Sequence, residues 1–155
     1  MTRPRVGSAL VALVALVLLG LLAGCVAPAP TTSAYEGKAA RTAQDALSQV
    51  ETVRMAAEAG ARGRLTRAYL ETVLSDAEDA FGSIQDTFDS VQPPDEPAAD
   101  ELRDALDELL SAGSDAVSGV RIAARRQDTG QMLAAARSLE PVAAGLARFE
   151  QEHSG

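Results

Sequence analysis

Tryptophan is absent from the 155 residues, and cysteine and histidine occur once each, as Cys25 and His153. A single cysteine rules out an internal disulfide, so the chain must hold its fold by packing alone. A single histidine, two residues from the C-terminus, excludes a histidine-based catalytic triad, a two-histidine zinc site and internal haem ligation. With Tyr35 and Tyr69 as the only tyrosines, an aromatic platform for carbohydrate or nucleobase stacking is not expected, and both are read as packing residues. No glycine-rich phosphate loop is present: Gly60 and Gly63 lack the flanking strand and the lysine that such a loop requires. No segment alternates polar and apolar residues with period two, so β-structure has no support. The net charge of −8 argues against general binding of nucleic acid, which needs clustered Lys and Arg.

What the chain does contain begins with a leader. Arg3 and Arg5 precede an apolar run from Val6 to Leu22, interrupted only by Gly7, Ser8 and Gly20. At 17 residues the run falls short of the roughly 18 to 20 that an uninterrupted membrane-spanning helix needs, and small residues follow it directly. Residues 1–24 therefore read as a cleavable signal peptide, the alternative being an uncleaved signal anchor with an incidental cysteine. The segment Leu22-Ala23-Gly24-Cys25 resembles the lipobox of bacterial lipoproteins. The resemblance implies a diacylglyceryl group on the Cys25 thiol, cleavage between Gly24 and Cys25, and retention at the outer face of the cytoplasmic membrane. Two acyl chains hold stably where one holds marginally, because each buried methylene contributes about 0.8 kcal/mol. Loss of Arg3 and Arg5 with the leader would leave the remainder two charges more negative than the whole chain.

The residues after Cys25 run Val-Ala-Pro-Ala-Pro-Thr-Thr-Ser, a composition that favours an extended tether over residues 25–33. The rest, residues 34–152, carries four helical patterns. The first is expected over about 34–59, started by a Ser33 to Glu36 capping box and stopped at Gly60, with Ala39, Ala43, Ala46, Val50, Val53 and Ala57 on one face. The second is expected over about 65–91, through Leu70, Val73, Ala77, Phe81, Ile84, Phe88 and Val91, ended by Pro93-Pro94. The third is expected over about 96–126, capped by Asp95, with Leu102, Leu106, Leu109, Ala112, Ala116, Val120 and Ala123 buried. The fourth is expected over about 130–151, restarted by an Asp128 to Gln131 capping box, through Met132, Ala136, Leu139, Ala143, Leu146 and Phe149. Pro141 marks a candidate kink. The expected fold is all-α, an antiparallel up-down-up-down four-helix bundle, with a looser three-helix array as the alternative.

Charge is unevenly distributed along this body. Twelve acidic residues between Asp76 and Glu108 face Arg103 alone. They follow helical spacing and form no calcium-binding loop. Glu150 and His153 match the spacing of a di-iron carboxylate motif, but such a site needs that motif twice, so no metal is expected. Arg62, Arg64 and Arg67 lie around the first turn and Arg121, Arg125 and Arg126 near the third, which the up-down topology brings to one end. That end, away from the tether, is a candidate docking face for an anionic partner such as a wall polymer or an acidic protein. The competing reading is ordinary solvation and complementing of helix ends.

The chain as a whole resembles the small alanine- and arginine-rich helical lipoproteins of high-GC actinobacteria, through its lipobox, its composition and the Val91-Gln92-Pro93-Pro94 turn. In a host with two membranes, Val26 in place of an aspartate would permit sorting outward. The expected function is that of a non-enzymatic, membrane-anchored extracytoplasmic interaction or structural module, without cofactor. The alternatives are a carrier holding a small ligand or metal between its helices, which a cavity among Val73, Phe81, Leu106 and Leu139 would favour, and an enzyme built on a buried carboxylate pair.

Overall fold

The computed structural model describes residues 31–154, and the expected leader, Gly24, Cys25 and most of the expected tether lie outside the described residues. Within them the chain forms four helices and no strand: α1 Thr32–Ala61, α2 Arg67–Asp89, α3 Pro97–Arg125 and α4 Thr129–His153. At 23 to 30 residues each, they are about 35 to 45 Å long.

Helix boundaries follow the hydrogen-bonding needs of the chain ends. α1 starts earlier than its expected capping box. The Thr31 hydroxyl accepts from the Ala34 N–H, so Thr32 and Ser33 are helical and the tether is shorter than expected. Gly60 does not stop the helix. The Leu70 side chain fills the space of its missing Cβ, and the chain turns three residues later, at Gly63, with φ +66°. There Gly63 donates to the Gly60 carbonyl and Arg64 to the Ala59 carbonyl, a Schellman closure. α3 ends the same way with Gln127 in the left-handed position, φ 58°, and its amide and that of Asp128 donate to Ala124 and Ala123.

α2 begins two residues later than expected from its apolar pattern because Thr66 caps it, accepting from the Tyr69 N–H. α3 is preceded by Glu96, not by the expected Asp95, and no side chain caps it. Pro97 opens the helix, where a missing N–H costs nothing, and the Glu96 carboxylate instead accepts from the Thr32 hydroxyl at 2.6 Å. The expected cap of α4 is present, with Asp128 Oδ1 accepting from the Gln131 N–H at 2.8 Å. α4 then runs unbroken through Pro141, whose ring side is exposed.

The helices form an antiparallel four-helix bundle. α1 touches all three others, α3 does likewise, and α2 and α4 do not meet, so α1 and α3 make the closer diagonal. Contacts between α2 and α3 progress in opposite directions along the chain, from Phe88 with Arg103, through Phe81 with Gly113, to Glu78 with Ser118. Leu109 against Gly145 and Gly119 against Ala135 set the same antiparallel relation for α3 and α4.

The core faces of α1 and α4 are those expected: every named residue is buried, joined in α1 by Tyr35 and Ala56. α2 and α3 are rotated from expectation. Leu74 is fully buried while Leu70, Val73, Ile84 and Val91 are only half-buried. On α3, Leu102, Leu106, Val120 and Ala123 are buried, but Leu110, Gly113 and Val117 take the core positions expected for Leu109, Ala112 and Ala116. Both rows continue from Leu106 at helical spacing. One faces α1 and α2, and the other faces α4 at the surface.

Candidate functional site

Three features stand out once the helices are in place: two chemically distinct ends and one long groove. At the end where α1 and α3 begin, Arg103 organises the acidic run. Its guanidinium donates to the carbonyls of Val91 at 3.1 Å and Asp89 at 3.2 Å, satisfying orphan acceptors beyond the last turn of α2. It also pairs with Asp89 and Asp107, at 3.8 and 3.6 Å, and lies 5.9 Å from the Phe88 ring centre. Phe88 in turn packs on Tyr35, ring centres 5.8 Å apart. Tyr35 is fully buried, as expected of a packing residue, and burial pushes its hydroxyl pKa up, with Arg103 opposing. Burial likewise raises the Asp107 carboxyl, against the pull of Arg103. The acidic run is therefore partly structural. Among the described residues no group of three metal-ligating side chains converges.

At the opposite end the first and third turns meet: Leu65, Arg67 and Leu70 share a small cleft with Ala124, Gln127 and Asp128. Of the six arginines expected there, three are engaged. Arg62 pairs with Glu58 at 2.8 Å, Arg67 with Glu71 at 2.7 Å, and Arg121 with Glu78, which also accepts from the Ser118 hydroxyl. The Glu78 and Arg121 side chains are only 25% and 23% exposed, so this pair clamps α2 to α3. Arg64, Arg125 and Arg126 are exposed and have no carboxylate partner among the described residues. The large exposed apolar side chains, Met55 at 63%, Tyr69 at 59% and Ile122 at 41%, lie toward this same end. Tyr69 is thus not the packing residue expected.

The third feature was not foreseen. On the surface where α3 and α4 pack together runs an open groove of about 900 Å³. Its floor is small and apolar: Ala112, Ala116, Gly119, Ala135 and Gly145, closed at one end by Leu109 and Phe149. Its rims are polar, with Glu108 and Asp115 on α3 and Ser138, Arg148 and Glu152 on α4. None of the rim carboxylates pairs with Arg148 within the chain, among the described residues. The signal that could have found it was the misassigned face of α3, since Leu109, Ala112 and Ala116 form this wall.

The interior offers no comparable space at the position that would favour a carrier, because Phe81, Leu106 and Leu139 are fully packed. Apart from the Tyr35 hydroxyl, which is buried without a hydrogen-bond partner, no polar or charged side chain falls in the core among the described residues, and none of the described helices is long and apolar enough to cross a membrane. His153 extends α4 and packs on Phe149, ring centres 4.5 Å apart. No family model, curated protein or solved structure matches the chain.

Proposed function

We propose that the chain is a lipid-anchored extracytoplasmic module that acts by docking protein, not by catalysis, and that its working surface is the α3/α4 groove. The observation that carries this reading is the groove's construction. It is open along its length, and its floor of alanine and glycine lets another helix approach closely, while its rim offers fixed charges for register. The lipobox resemblance at Leu22-Ala23-Gly24-Cys25 supports the anchor: a diacylglyceryl group on Cys25 would hold the chain in the bilayer at the outer face of the membrane. The Arg64, Arg125 and Arg126 end, with Tyr69 and Ile122 beside it, supports a second contact, to an anionic wall polymer or an acidic protein.

Crosslinking with mass spectrometry on intact cells tests the reading, using the native chain, Ala112→Trp and Cys25→Ser. Ala112 is exposed on the groove floor, so a bulky side chain there blocks docking without disturbing the core. The expected result is loss of groove crosslinks in Ala112→Trp, and a diacylglyceryl mass on an N-terminal peptide beginning at Cys25 in the native chain that is absent from Cys25→Ser. Crosslinks unchanged by Ala112→Trp would overturn the groove, and a native chain whose Cys25 carries no acyl mass would overturn the anchor.

A further inference from the structure

Resting on the docking reading above, we infer that the groove's occupant is a second copy of this chain, seated so that α3 of each copy lies over α4 of the other around a two-fold axis parallel to the bundle. The argument starts from axial levels. Leu109 packs against Gly145 and Gly119 against Ala135, so each step forward along α3 matches one step back along α4. On that scale Glu108 and Arg148 differ by two residues, about 3 Å, and Asp115 and Ser138 by one, about 1.5 Å. Rotation about an axis parallel to the helices leaves every level unchanged. Glu108 of one copy therefore meets Arg148 of the other, and Asp115 comes level with Ser138, each juxtaposition occurring twice.

Glu108, Asp115 and Arg148 are uncommitted to any ion pair among the described residues, which is what such pairing requires, whereas the Ser138 hydroxyl already donates to the Ala135 carbonyl at 2.7 Å. Glu108 and Arg148 stand on opposite rims at nearly the same level, both exposed, and make no ion pair with each other or with other described residues. The other interhelical contacts behave differently: Arg121 reaches Glu78, Arg103 reaches Asp89, and Arg54 reaches Glu140 at 3.3 Å. The floor fits as well. Ala112 lies level with Val142, so it would rest against Pro141 and Val142 of the second copy, where neither side chain obstructs close approach. The two-helix face measures roughly 37 Å by 20 Å, on the order of the 800 Å² per partner typical of a stable interface. The symmetry also suits the anchor, because both α1 helices begin at the same end of such a dimer and both tethers face one membrane.

The test is sedimentation of the full chain solubilised in detergent, with Glu108→Arg, Ala112→Trp and the double exchange Glu108→Arg with Arg148→Glu. The inference expects a dimer for the native chain, at least tenfold weaker self-association for Glu108→Arg and for Ala112→Trp, and recovery in the double exchange. All substituted positions are exposed, and unchanged helical melting curves verify that the variants fold. A native chain that stays monomeric overturns the inference; if Ala112→Trp still removes crosslinks in cells, the docking reading survives it with a different partner. A dimer indifferent to Glu108→Arg and Ala112→Trp overturns it too, since association then uses another face. Failure of the double exchange to recover association rejects the Glu108 to Arg148 pairing and with it the proposed symmetry.

Discussion

Helix α3 has two seams, one with α2 and one with α4, and they differ in what lies opposite their small residues. Toward α2 the seam is closed. The Phe81 ring lies where the Cβ of Gly113 would stand, 2.6 Å from that position, and the Glu78 clamp and the Arg103 cap close its two ends. Toward α4 the seam is mixed: Leu109 fills the space at Gly145 in the same way, but a Cβ on Gly119 would meet only Ala135, at 3.7 Å, and there a surface furrow opens. A glycine or alanine on a helix is thus neither a packing residue nor a groove residue by itself. The side chain opposite decides: a phenylalanine turns the small residue into a socket, and another small residue leaves an opening.

The largest expected effect separates the seams by truncation. Phe81→Ala empties a fully packed site and should lower stability by about 3 to 5 kcal/mol, whereas Leu109→Ala, half-buried over Gly145, should lose no more than about 1.5 kcal/mol. Urea unfolding followed by circular dichroism reads both. Equal losses would mean that the α3/α4 seam is as tightly filled as the other.

A single methyl group gives the sharper contrast, since it should change sign between Gly113 on the closed seam and Gly119 in the furrow. Gly113→Ala forces its Cβ into the Phe81 ring, and overpacking of about 1 to 3 kcal/mol outweighs the gain of about 1 kcal/mol in helix propensity. Gly119→Ala meets ordinary contact only, so the propensity gain remains and the chain should become slightly more stable. Adding Phe81→Leu to Gly113→Ala should recover part of the loss if the ring is the obstacle. Two gains, or two losses, would show that the seams do not differ in the way described.

The closed seam was also the harder one to read from sequence. The α1 and α4 faces are legible because a single apolar row runs along each, through Val50 and Val53 in α1 and through Leu139, Leu146 and Phe149 in α4, and the apolar neighbour Val142 falls beside the α4 row and is buried with it. α3 has Leu109 beside Leu110, and both continue from Leu106 at helical spacing, so periodicity alone supports two faces. The choice depends on Gly113, which carries no hydropathy signal and becomes a core residue only because Phe81 on α2 needs its space. Helix caps divide similarly. Asp128 to Gln131 is local and readable, but the start of α3 depends on Glu96 reaching Thr32, 64 residues away in the chain. The groove was hidden for the same reason as the α3 face, and the positions of Cys25 and Gly24 remain matters of motif alone.

The smallest expected effect concerns the charged end of the closed seam and works through pH. Burial raises the Asp107 carboxyl above its ordinary value, although Arg103 pulls it down. A raised acid favours the folded state while it is protonated in both states. That contribution is fully present below the unfolded value of about 3.9, and is lost as pH rises through the folded value. Asp107→Asn removes the ionisation but keeps an oxygen that can accept from Arg103. The variant should therefore match the native chain at pH 3 and equal or slightly exceed it at pH 7. The difference should stay within about 0.5 kcal/mol, because the side chain is 40% exposed and water screens the pair. Thermal melts at the two pH values read the difference. If Asp107→Asn is instead clearly less stable at pH 7, the attraction of Arg103 outweighs burial, and this pair within α3 braces the guanidinium that caps the end of α2.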